Sequence, residues 1–192
     1  MSLIRSRFSE LNNSRKNTAL KVTFCGITAA LGAAVMLAGG LFGVMTYAAP
    51  LIAAMFLIPA RREFGAGAAL LAYAATAVVT ALISPDKELA FFYVFIGYYP
   101  VLKVLIDRIP TRLVRIVIKL VSFAFALSLM YLFLIFVFRL QTVLDEISET
   151  GLSIWLALDA ALVIVLLVWD LMLRFTELFY EKKLRGKLKF TN

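Results

Sequence analysis

Apolar residues gather in six runs along the chain, at about 22–41, 47–60, 64–83, 89–106, 113–138 and 153–173. Within each run they cover the whole circumference of a helix and not the one stripe that a soluble helix buries. Five of the six have the roughly 20 residues that cross about 30 Å of hydrocarbon at 1.5 Å per residue. Lipid offers backbone groups no hydrogen bonds, so a single spanning run is expected to be helical. The pattern predicts an all-α, polytopic membrane protein, a six-helix bundle forming one transmembrane domain over residues 1–192.

The second run is irregular. Pro50 interrupts it and Pro59 closes it, leaving about half of a membrane-crossing length between them. Gly39, Gly40 and Gly43 precede it, and residues 41–49 read as an outer loop able to fold back into the bundle. An ordinary kinked hairpin is the other reading.

Charge orients the runs. With the N-terminus in the cytoplasm, every Lys and Arg except Lys87 and Arg139 falls on the cytoplasmic side. Residues 1–21 and 174–192 become basic cytoplasmic segments, while the loops holding Asp86 and Glu88, then Asp145, Glu146 and Glu149, lie outside. This regular alternation predicts six spans with both termini inside. Leu3, Ile4, Phe8 and Leu11 could share one face of a helix lying on the membrane, or belong to a disordered tail. A net charge of +8 distributed between apolar runs makes no basic stripe, so membrane lipid and not nucleic acid is the expected contact.

Composition removes several chemistries. Of the residues, 62% are hydrophobic, which agrees with the spans; histidine is absent and Cys25 is the only cysteine. The commonest general base and transition-metal ligand is therefore missing, and no intrachain disulfide can form. There is no phosphate-binding glycine loop and no metal-ligand spacing. Neither catalysis nor a cofactor or metal is expected, and Cys25 reads as a small apolar residue inside a helix.

Small residues recur at helical spacing in the first run. Gly26, Ala30, Ala34 and Ala38 form one row, with Ala29 and Ala33 beside it. Such rows let helix backbones approach closely, either within the bundle or against another membrane subunit. Together with the six runs, the alanine-rich first helix and the proline-broken second segment, this resembles the substrate-binding S components of energy-coupling factor transporters. Ala29–Ala33 and Ala30–Ala34 match that family's Ala-x-x-x-Ala pattern. The resemblance implies that Gly26, Ala29, Ala30, Ala33 and Ala34 dock a transmembrane coupling subunit served by separate ATPases. It also implies an outward-opening pocket gated by the loop after the first helix. Small six-helix proteins of the bacterial cell-shape machinery look similar, which keeps a scaffold or assembly role in view.

Candidate binding residues lie toward the outer side. The stretch FFYVFIGYYP places Phe91, Phe92, Tyr93 and Phe95 there, and Trp155 opens the last run on the same side. Such rings suit either an interfacial belt or a stacking wall for a flat ligand. Asp159 and Asp170 interrupt the last run three helical turns apart, on one face. Asp170 is spaced to pair with Arg174, and Lys103 with Asp107, both as structural pairs. Asp159 has no basic neighbour in sequence, and in lipid it would cost a few kcal/mol, so it is expected to face the interior or a wet cavity. Asp159, Trp155, Tyr47, Phe92 and Tyr93 form the candidate site for a small organic solute. The expected function is a bacterial inner-membrane subunit for uptake of a vitamin-like nutrient. The alternative is a membrane scaffold of an envelope complex that binds no solute.

Overall fold

The computed structural model describes residues 2–42, 45–138 and 152–184; the side chains of 2–16, 42, 134–138, 152–156, 158, 159 and 184 lie outside the described set. The elements are α1 (Ser2–Phe42), α2 (Ala48–Met55), α3 (Leu57–Ile83), α4 (Lys87–Ile96), α5 (Tyr99–Ile106), α6 (Arg112–Phe138) and α7 (Leu152–Phe179), with a π-helical turn at Tyr180–Leu184. No strand occurs among the described residues. Among the described residues, four stretches are long and apolar enough to cross a membrane: Asn17–Leu41, Leu57–Ile83, Lys87–Ile106 and Arg112–Phe133. The basic N-terminal segment is helical and continues directly into the first run.

Proline and glycine set the breaks. Pro50 and Pro59 each occupy the first turn of a helix, α2 and α3 respectively, where a missing N–H removes no intrahelical bond. Pro50 therefore begins its helix where the sequence suggested an interruption, and Pro59 does not close the second segment. Helix continues through Arg61 and Arg62 as far as Gly65, whose φ of 85° and ψ of −178° no helix accommodates. Only glycine takes such a backbone without strain. Pro100 repeats the device, since it cannot donate to Ile96, and the chain breaks at Gly97–Tyr98 between α4 and α5.

Contacts fix helix directions. Cys25 Sγ donates to Ala68 O at 3.4 Å, and Thr76 Oγ1 to Ala29 O at 3.3 Å. Further along, a Cβ on Gly40 would lie 3.1 Å from Ser84 Oγ. The register climbs together on both helices, so α1 and the part of α3 after Gly65 run parallel. The chain between them must return. At its start, Thr46 and Tyr47 bond Asp86 and Glu88, beyond the far end of α3. At its finish, Arg62 pairs with Glu177 and Glu181, and Tyr180 Oη donates to Glu63 at 3.1 Å, all at the end of α7.

The core sits between α2, α4, α6 and α7 and includes Leu89, Phe92, Tyr93, Leu127, Met130 and Leu166. Among the described residues, the buried positions on α6 are Lys119, Phe123, Ala126, Leu127 and Met130, and on α7 they are Leu166, Trp169, Asp170 and Leu173. Each set recurs at three- and four-residue intervals, so each helix turns one face inward. The opposite faces expose Leu113, Val117, Phe125, Val168 and Phe175, as a lipid environment permits.

Candidate functional site

At the end of the bundle near Asp86, a polar cap joins α2 to α4. Asp86 caps α4 by accepting from Leu89 N at 3.1 Å and takes a second bond from Thr46 Oγ1 at 2.9 Å. The Tyr47 hydroxyl donates to Glu88, and its ring meets that of Phe92 edge-on, with centroids 5.2 Å apart. Phe92 is fully buried, as is Tyr93, which turns to α3 and approaches the Tyr73 ring at 5.6 Å. The structure thus brings Tyr47 and Phe92 together and sets Tyr93 toward a different neighbour. Both α4 rings are core residues and form no interfacial belt. The side chains of Trp155 and Asp159 lie outside the described residues.

The small residues of α1 divide between two faces. Ala33 is buried and Ala29 half-buried against α3, with the Ala29 carbonyl accepting from Thr76. Gly26, Ala30, Ala34 and Ala38 are exposed, and nothing lies within 4 Å of where a Gly26 Cβ would stand.

Toward the other end of the bundle, four ionisable side chains meet inside it. Lys103 on α5 pairs with Asp107 Oδ2 at 2.5 Å and stands 4.0 Å from Asp170 Oδ1. Lys119 on α6 bridges Asp170 Oδ2 at 2.6 Å and Asp107 Oδ1 at 3.0 Å. Positive and negative groups therefore alternate around a closed ring that ties α5, α6 and α7. The Tyr99 hydroxyl adds a bond to Asp170 Oδ1 at 2.7 Å. Its ring packs on Phe123 and Trp169, with centroids 4.5 Å and 5.6 Å away. Lys103 is 1% exposed, and Asp107, at 24%, is the member that water reaches.

Alternation makes the ring self-neutralising, which offsets the burial of Lys103, Lys119 and Asp170. Asp170 stands two helical turns, about 10 Å, before Glu177 and its Arg62 partner. Desolvation opposes ionisation of Asp107, but the Lys103 and Lys119 ammoniums outweigh it and hold its carboxyl below the usual carboxylate range. Asp107 is thus ionised at neutral pH.

Sequence spacing identified one of its contacts, Lys103 with Asp107. It missed the rest, and it assigned Asp170 to Arg174. The structure corrects that pairing: Asp170 turns inward to Lys119 and Tyr99, while Arg174 is exposed. The available signal was weak: Lys119 is the innermost of three basic residues at the start of α6, one that needs an anion within reach if its face is buried. No family model, curated protein or solved structure matches the chain, so its function is read from its own residues.

Proposed function

We propose that the chain is the membrane-embedded substrate-binding subunit of an uptake system, which takes up a small organic nutrient and docks a transmembrane coupling subunit with its ATPases. One observation carries this reading. Beside exposed Ile27 and Leu31, α1 keeps an exposed four-spaced row of Gly26, Ala30, Ala34 and Ala38 that runs over about three helical turns. Lipid does not require small residues, but close approach of another helix does. Ala30→Trp and Ala34→Trp should abolish co-purification of the coupling subunit and leave a folded monomer. Unfolding of both variants would make the row an internal seam and remove this support.

The reading includes six crossings with both termini in the cytoplasm. Parallel packing of α1 with the second part of α3 supports it, because the intervening chain has to recross. Single cysteines at Pro85 and Glu146, in a Cys25→Ala background, should react with a membrane-impermeant maleimide on intact cells, and one at Arg108 should not. Labelling at Arg108, or none at the other two, would refute the topology.

A scaffold of a bacterial envelope complex is the second reading. Full burial of Phe92 and Tyr93 favours it, because both rings are already packed by protein. Native mass spectrometry of the purified protein separates the two. A bound small molecule supports uptake, and a stable protein complex free of small molecules supports the scaffold.

A further inference from the structure

Helix α5 is held unlike its neighbours. It is eight residues long and separated from α4 at Gly97–Tyr98, where Pro100 cannot supply the bond that would bridge the break. A Cβ on Gly97 would stand 2.8 Å from the Tyr93 ring, so the joint is built around a residue without a side chain. On one side α5 offers Val101 to Ala60 and Ala69. On the other it offers Tyr99 and Lys103, and both engage charged groups of the ring.

Apolar contacts lose energy gradually as surfaces slide. A closed ring does not: swinging α5 breaks Lys119–Asp107, Lys103–Asp170 and Tyr99–Asp170 together, while Lys103 keeps Asp107 at the end of α5 and Lys119 keeps Asp170. Such a contact favours two discrete arrangements, formed or broken and hydrated. Asp107, the most exposed of the four, marks where water would enter.

We infer that the ring is a latch, and that α5 swings about Gly97–Tyr98 between a closed state and one in which the ring is broken and hydrated. Opening exposes the Tyr99–Phe123–Trp169 cage toward the end of the bundle where α7 finishes. If the chain is a solute-binding subunit, this is a release path on the cytoplasmic side; the motion itself does not depend on that reading. The groups facing the latch are Tyr99, Lys103, Asp107, Lys119 and Asp170.

Cysteine accessibility tests the latch without any transport assay. In full-length protein in nanodiscs, with Cys25→Ala, reporters are placed at Phe123 beside the ring and at Met36, buried among the core residues at the opposite end. Leu127→Cys replaces the Phe123 reporter if that variant fails to fold. Reaction with a small water-soluble thiosulfonate is compared with and without Lys119→Gln. Breaking the ring should raise labelling beside it at least about tenfold more than labelling at Met36. Equal increases at both sites would show that the ring only stabilises the whole bundle, and no increase at Phe123 would show that α5 does not open. Either result overturns the latch. Neither touches the uptake reading, which stands or falls on the co-purification of a coupling subunit and on bound solute.

Discussion

Lys119→Met should cost about 3–5 kcal/mol of stability, measured by reversible unfolding in SDS, because it leaves Asp107 and the buried Asp170 to share Lys103 alone, which stands 4.0 Å from Asp170. Asp170→Asn should cost less. Its amide oxygen can still accept from Tyr99, and the charge left behind is one lysine distributed toward Asp107. Combining the two should recover part of the loss, with a coupling of about 1–3 kcal/mol, since Lys103 and Asp107 then remain as a balanced pair. If the double variant lost the sum of the singles, the ring would not be one electrostatic unit. Acid gives an independent check with a definite sign. A carboxyl whose folded pKa lies below the ordinary 3.8 contributes stability that is complete above that value. The contribution of Asp107 should therefore persist through neutral and mildly acidic pH and disappear only as pH falls below 3.8.

Lys119 shows what was legible in the sequence and what was not. Its place near the start of an apolar run could be read as positive-inside topology, and that reading accounts for Arg112 and Arg115 equally well. The face it occupies distinguishes it from them, and faces depend on which helices pack together. The partner is 51 residues away, beyond any spacing rule for a single helix. Lys103–Asp107 was legible because both ends lie on consecutive turns. Asp170–Arg174 satisfied the same spacing and failed, since tertiary packing gave Asp170 a buried cation and a phenol. The run boundaries were more accessible. Residues 113–138 and 153–173 correspond closely to α6 and α7, because lipid-length hydrophobicity is a one-dimensional signal. The prolines of the second run misled because proline breaks a helix only from its interior, and Pro50 and Pro59 each occupy a first turn.

Glycine spacing on α1 was equally ambiguous, and two substitutions should separate its faces. Gly26 heads the small-residue row and Gly39 follows Ala38 at its end, but a Cβ on Gly39 would stand 2.3 Å from Ala49 Cβ, whereas one on Gly26 meets nothing within 4 Å. Gly39→Ala must therefore push α1 and α2 apart, at a cost of about 1–3 kcal/mol that exceeds any gain from alanine's better helix propensity. Because α2 begins beside Tyr47, the same shift should loosen the Tyr47–Glu88 and Thr46–Asp86 bonds and expose Phe92 at the cap near Asp86. Gly26→Ala should instead hold or raise stability, by up to about 1 kcal/mol, through helix propensity alone. Thermal unfolding of the isolated chain in detergent, followed by gel filtration, measures both. A larger loss at Gly26 than at Gly39 would mean that the outward row is packed within the bundle, leaving no open face on α1 for a partner.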